Sequence, residues 1–325
     1  MSVVTLAALI SSLFSRETIQ KIMERLPDFK TPAMDFLYPE NKRVNNPFPF
    51  LTYKDFAIVG NIPLVKRGQQ SYKMKSSGEI SMLEPQPVYP SIPIDAVDFN
   101  NLRMLDSEGQ QQYVQNRIDQ LRQATKLTAE ALCIQSVSGK IQYPMMDGNV
   151  KTDFVLDYGT PSAVIASKKL DAADAKTSDL IKLTSAMKEK ARKQGFGRDI
   201  IFLAPADTYG ACYDLVTAGG RDPRFNAEGD LILGNGTVIK QFDYTYVNPD
   251  TGASEGLAAK SLTLWDRSAG NRLFYSAVDD IDANFVASPF WPKAVKVEDW
   301  YDIKGQSKPT PVPNVKSIIK SVALT

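Results

Sequence analysis

The longest helical pattern in the chain constrains its fold more than any other feature. Over residues 107–138, Val114, Ile118, Leu121, Thr125, Thr128 and Leu132 recur at steps of 4, 3, 4, 3 and 4. That spacing sets them on one stripe of an α-helix. Leu127, Ala131 and Ile134 are expected to widen the stripe. Ser107 followed by Gln110 reads as a capping box, and Gly139 stands where a left-handed C-terminal cap belongs. Such a helix spans roughly 45–50 Å, far beyond the average of ~11–12 residues. A folded domain can hold it only as a spine along one face, with Val114, Ile118, Leu121 and Leu132 as the seam turned inward.

The remaining chemistry is bounded by what is missing. The 325 residues contain no histidine. This excludes Ser-His-Asp and Cys-His catalysis, histidine metal ligands and histidine acid–base work. Cys133 and Cys212 are too few for a disulfide framework or a cysteine zinc site and read as small buried hydrophobes. A net charge of +1 argues against a dedicated polyanion binder. The apolar run 3–10 lacks the flanks of a signal peptide and the length of a membrane span. A cytosol-like compartment is expected, in which the sequon Asn235-Gly236-Thr237 is a chance match. Leu6, Leu9, Leu13, Ile19, Ile22 and Leu26 instead follow helical spacing.

Residues 1–58 read as an arm. Pro27, Pro32, Pro39, Pro47 and Pro49 interrupt it, and Phe29, Met34, Phe36, Leu37, Phe48, Phe50 and Leu51 lie between them. A disordered linker would be polar. An extended segment this apolar must lie along a surface, so Phe29, Phe36, Phe48 and Phe50 are the expected docking residues. Residues 59–99 read as a long hairpin. Lys66, Arg67, Lys73 and Lys75 lie on a basic leg with no acid, Ser76-Ser77-Gly78 offers a turn, and the return leg starts at Glu79. An excursion this long with few core residues is functional more often than structural. A charged projection meeting an acidic patch on another subunit fits it better than nucleic-acid binding, because Tyr72 is its one interleaved aromatic.

After the long helix, residues 141–143 and 150–158 flank an Asp147-Gly148 turn. Residues 161–197 are expected to be mostly helical, 199–203 a buried strand, and 206–218 a short helix. Asn235-Gly236 centres a hairpin. Further strands are expected at 244–247, 262–265, 272–276, 283–286, 294–297 and 315–322. The block near 180–265 reads as an inserted domain.

No motif carries catalysis. Asp280-Ile-Asp282-Ala-Asn284 imitates the start of a calcium loop, but Phe285 and Trp291 stand where glycine and glutamate are needed. Ser185-Ala-Met-Lys188 and Ser317-Ile-Ile-Lys320 match a serine–lysine pattern without its companion motifs. Gly195-Phe-Gly197 precedes a strand instead of following one. No catalytic residue, cofactor or metal is expected. What remains is an arm, a projecting hairpin, a spine helix and an inserted block, whose apolar surfaces need neighbours.

The order of these parts resembles the tailed-phage major capsid fold, the Hong Kong 97 type, and more narrowly the lambda-type major head protein (capsid protein E) family. The resemblance is carried by Ile62-Pro63-Leu64-Val65 through Ser76-Ser77-Gly78-Glu79, Val88-Tyr89-Pro90, Ile92-Pro93 and Asn101-Leu102-Arg103. It continues in Gln115-Asn116-Arg117, Gly139-Lys140-Ile141-Gln142-Tyr143, Phe290-Trp291-Pro292-Lys293, Gln306-Ser307-Lys308-Pro309 and Pro313-Asn314-Val315.

The resemblance implies an α+β fold with an N-terminal arm (1–58), an extended loop (59–96), a peripheral domain (97–160 with 266–325) holding the spine helix, and an axial domain (161–265). It implies pentamers and hexamers of the chain closing an icosahedral head around double-stranded DNA, which is held non-specifically. Lys66, Arg67, Lys73, Lys75 and Glu79 of the extended loop would contact a neighbouring subunit. A portal, a scaffold and, in part of the family, a decoration protein are implied partners, with no membrane. The chain starts with its arm and lacks a long charged helical extension, so a separate scaffold is expected. Assembly would take place in the bacterial host cytoplasm and the product would be the virion capsid. Two alternatives are an encapsulin-like nanocompartment shell and a histidine-free cytosolic enzyme.

Overall fold

The computed structural model describes Phe14 and residues 16–54, 80–218, 222–297 and 300–325. Lys66, Arg67, Lys73, Lys75 and Glu79 lie outside the described residues, as do Leu6, Leu9, Leu13 and Gly219-Gly220-Arg221.

The long helix is Ser107–Ser136, 30 residues. Asp106, not Ser107, caps it: the Gly109 N–H donates to Asp106 Oδ1 at 2.8 Å, and Ser107 is already the first helical residue. The Gln110 side chain turns away from the helix start and donates to the carbonyls of Leu102 (3.0 Å) and Leu105 (3.2 Å). Val114, Ile118, Leu121, Thr125 and Leu132 are all buried. Leu127 is exposed; Ala129, Ala131, Cys133 and Ile134 widen the stripe in its place. Gly139 closes the segment at φ +81, and a Cβ there would stand 2.8 Å from Pro161 Cδ, so only glycine fits.

Contacts divide the chain into two units. The first takes the described parts of Met1–Leu51, Glu84–Ala131 and Leu273–Thr310. Its antiparallel sheet runs in the order Trp291–Val297, Trp300–Gln306, Ser91–Ile94. Ile94, Ile303 and Phe290 meet Val114, Ile118 and Leu121 of the long helix, and Ile22 and Leu26 of the helix Arg16–Arg25 join the same core. Arg43–Asn46 pairs in parallel with the strand Arg272–Ser276, from Arg43↔Leu273 to Asn46↔Ser276. The expected strand at 283–286 is a turn, in which Asn284 and Phe285 have φ of 51 and 52.

The second unit takes Leu132–Arg272, Pro311–Thr325 and the described parts of Thr52–Leu83. Its seven-stranded mixed sheet runs Ser162–Ala163, Ile319–Val322, Ser261–Asp266, Ile200–Ala204, Val238–Gln241, Leu231–Ile232, Arg224–Phe225. The register aligns Ile239, Phe202, Leu264 and Ile319 across four strands. On that face pack Leu180, Leu183, Met187 and Ala191 of the helix Thr177–Lys193, and Cys212, Leu215 and Val216 of the helix Ala206–Ala218. The helix expected over 161–197 therefore starts only at Thr177. The strand Ile319–Val322, grouped with the peripheral segment in the sequence, lies inside this sheet; residues 315–317 before it form a 3-10 turn. Lys140–Asp147 and Val150–Asp157 form a separate hairpin around Gly148 at φ +60.

Candidate functional site

The N-terminal segment is held to its own chain by a polar ladder on the long helix. Arg122, Lys126 and Glu130 are four residues apart, so they share one helix face. The Arg122 guanidinium donates to the Pro27 carbonyl and, at 2.9 Å, to Asp119 Oδ1. Lys126 Nζ donates to Asp28 Oδ1 at 3.1 Å and to the Phe29 carbonyl at 3.2 Å. The Ala33 N–H donates to Glu130 Oε1 at 2.8 Å. That last bond caps the helix Pro32–Leu37, whose own N-cap, Thr31, supplies no side-chain cap. Burial raises the Glu130 pKa, and the backbone N–H groups of Ala33 and Met34 oppose the rise. Lys126 lowers the Asp28 pKa through its hydrogen bond and its charge.

Apolar anchors complete the attachment within the subunit. Ala33, Met34, Leu37 and Tyr38 are buried, as are Ile19, Ile22 and Leu26. Phe29 and Phe36 are only half-buried. Phe48 and Phe50 are 60% and 42% exposed and stack on each other with ring centres 6.3 Å apart. Asn46 sets their turn: its Nδ2 donates to the carbonyls of Phe48 (3.0 Å) and Phe50 (3.1 Å). The sequence pointed to these aromatics as the docked surface. The four-residue spacing of Arg122, Lys126 and Glu130 is the sequence signal for the charged ladder.

The acidic turn at 279–285 is wired internally. Asp280 Oδ1 accepts the N–H groups of Asp282 (2.9 Å) and Ala283 (3.2 Å), and Oδ2 pairs with Lys293 Nζ at 2.6 Å. Neighbouring Asp279 pairs with the buried Lys308 at 2.6 Å. Burial pushes the Asp280 carboxyl up, yet Lys293 and the two N–H groups outweigh it and hold its pKa below the ordinary value.

The other chemistry-bearing residues do not converge. Ser185 is exposed, while Lys188 Nζ donates to Thr237 Oγ1 at 2.6 Å and lies 6.0 Å from the Phe202 ring centre. Ser317 Oγ donates to the Asn314 carbonyl at 2.7 Å. Cys133 and Cys212 are buried and no disulfide joins them, and burial pushes the Cys212 thiol up to about 12, far from a reactive thiolate. A polar groove of about 490 Å³ lies between the hairpin 140–157 and the strand pair 246–247 and 254–255. Tyr246 bridges its wall, accepting from Gln135 and donating to Glu255, with burial foremost in pushing its hydroxyl up to about 12. Among the described residues no three Cys, Asp or Glu side chains are grouped to hold a metal ion, and no helix is long and apolar enough to cross a membrane.

The sequence profile described as phage major capsid protein E matches residues 15–323. The chain belongs to this family. As a phage major capsid protein it has a structural role in a tailed-phage capsid. A protein assigned to the capsid of an Escherichia coli CFT073 prophage has the same fold, with a TM-score of 0.65 at 15% identity over 96% of this chain and 99% of that one. A phage-related protein of Bordetella bronchiseptica RB50 aligns at 0.49 and 11% identity over 96% and 98% of the two chains. The capsid of Cyanophage P-SCSP1u aligns at 0.45 and 10% over 91% and 89%. No curated protein sequence matches the chain. The major capsid protein thus has a mixed α+β fold of the Hong Kong 97 type, and the family match favours a phage shell over a cellular nanocompartment.

Proposed function

We propose that this major capsid protein forms the pentamers and hexamers of an icosahedral head that encloses double-stranded DNA, with Ser107–Ser136 as the spine helix of a peripheral domain and residues 161–265 as an inserted axial domain. Residues 1–58 act as the arm and 59–96 as the extended loop, whose Lys66, Arg67, Lys73, Lys75 and Glu79 contact a neighbouring subunit. A separate scaffold and a portal are its partners, and assembly takes place in the host cytoplasm before the virion is complete.

One observation carries the reading most strongly. The arm is fastened to its own chain through Arg122, Lys126 and Glu130, yet carries a preset aromatic pair, Phe48 and Phe50, turned to solvent. Rigid exposed aromatics are an anchor for a partner surface. Weak contacts of this kind suffice where many subunits act together.

The test is negative-stain electron microscopy with light scattering on the full chain, alone and co-produced with the scaffold from the same phage genome. Closed shells, tubes or capsomer rings are expected. A monomer that stays inert with scaffold and crowding agent present overturns the reading. Deleting residues 66–84 is expected to leave a folded subunit that no longer closes shells.

A further inference from the structure

The turn joining the strands Arg272–Ser276 and Trp291–Val297 presents two apolar side chains to water on a backbone with little freedom. Ile281 is 83% exposed and Phe285 54%. Beneath them Val278, Asp280 and Ala283 are buried. The Phe285 N–H donates to the Asp280 carbonyl at 3.1 Å, Asn284 to Ile281 at 2.9 Å, and Val286 to Ala283 at 3.2 Å. Asp280 clamps the turn through Oδ1, and the pairs Asp280–Lys293 and Asp279–Lys308 fasten its base to neighbouring strands.

This arrangement is locally unfavourable. Asn284 and Phe285 are consecutive non-glycine residues in the left-handed region, a conformation that an aromatic residue adopts only under strain. The strain places Ile281 and Phe285 outside the core, where Ile281 is almost uncovered and Phe285 only about half covered by the subunit itself.

Beside the knob lies a place for it. A groove of about 350 Å³ is lined by Phe14, Ile19, Val286, Trp291, Pro292 and Ala294, with Asp282, Ala283 and Asn284 of the turn forming one edge and Lys293, already paired with Asp280, at its rim. A cavity of about 150 Å³ accepts a benzene ring, so this groove has room for a phenyl ring and an aliphatic side chain together. Knob and groove are therefore adjacent on one patch, and a patch carrying both halves of a contact can meet its own copy.

We propose that Ile281 and Phe285 of one subunit seat in the groove lined by Phe14, Ile19 and Trp291 of a second copy of this chain. The proposal rests on the shell-subunit reading above and adds a contact that the arm and extended loop do not provide.

The test co-produces the full chain with its scaffold. Ile281→Asp with Phe285→Asp is expected to fold with the melting temperature of the parent, since both positions are exposed and Asp tolerates the left-handed region better than Phe. Shell yield by sedimentation is expected to fall at least tenfold. Independently, subunits carrying Phe285→Cys are mixed with subunits carrying Ala294→Cys and oxidised after assembly. A disulfide between the two kinds of subunit is expected, against a quiet background because Cys133 and Cys212 are buried. Parent-level shells from the double variant together with no inter-subunit disulfide overturn the proposal. So does a disulfide within one chain between Leu6→Cys and Ala294→Cys, which would assign the groove to the chain's own first residues. If the parent forms no shells under the same conditions, the shell reading itself fails, a result distinct from either.

Discussion

The ring of Phe290 occupies the space in which a side chain at Gly305 would stand. A Cβ at Gly305 would come within 2.7 Å of Phe290 Cζ and 3.4 Å of Leu121 Cβ. The glycine thus lets a sheet strand approach the ring and the long helix together, at the centre of the first unit's core.

Gly305→Ala is expected to destabilise the subunit by about 1–3 kcal/mol, because the buried ring has no room to retreat. Urea denaturation measures it. The loss should shrink in a Phe290→Leu background, and two independent, additive losses would show that the ring is not the obstacle.

Glu130→Ala is expected to weaken the arm's attachment by about 1 kcal/mol, the magnitude of a lost helix cap. Protease cleavage between residues 26 and 40 should then accelerate several-fold while the rest of the subunit resists as before. Unchanged cleavage would mean that Met34, Leu37 and Tyr38 hold the arm alone.

Asp280 gives an acid-side signature. Its folded pKa is lowered, so its contribution is present above the unfolded aspartate range and is lost as pH falls through the folded value. Lys293, raised by the same pair despite its burial, contributes below the ordinary lysine range for as long as Asp280 is ionised and fails in strong alkali. Urea midpoints followed from about pH 5 to about pH 2.5 should fall more steeply for the parent than for Asp280→Asn. Parallel curves would remove the ion pair from the stability of this turn.

Lys320 offers the opposite case. It lies opposite Thr263 in the seven-stranded sheet, partly buried, and burial lowers its pKa. The unfolded chain then holds the proton more tightly, and stability rises with pH from the lowered folded value up to the ordinary lysine value of about 10.4. Lys320→Met is expected to stabilise the subunit by about 1 kcal/mol at neutral pH and to flatten that rise. A loss of stability would show that the amine has a favourable role in the folded subunit.

The local features of the fold were legible where periodicity governs. Val114, Ile118, Leu121 and Leu132 follow the helix period and are buried. Leu127 lies six residues beyond Leu121, about 240° further round a 3.6-residue turn, and so falls outside the stripe that its hydrophobicity suggested. Residues 283–286 read as a strand because nothing in Ala-Asn-Phe-Val announces two left-handed residues; Asp280, three positions earlier, makes the turn. The place of Ile319–Val322 between Ser162–Ala163 and Ser261–Asp266 is set by distant partners that no local pattern encodes. Phe48 and Phe50 were found as the arm's prominent residues, but not which surface they face, since an exposed aromatic and a docked one have the same sequence.

The pairing of Asn46 with Ser276, 230 residues apart, has a consequence in time. At about 5–20 residues per second, a ribosome needs roughly 10–50 s to make the intervening chain. Until then the strand Arg43–Asn46 has no partner, and the turn that Asn46 shapes has no sheet to stand on. The strand that leads into the aromatic pair is thus secured only when most of the polypeptide has been synthesised, so a chain terminated before Ser276 presents Phe48 and Phe50 on an unpaired segment.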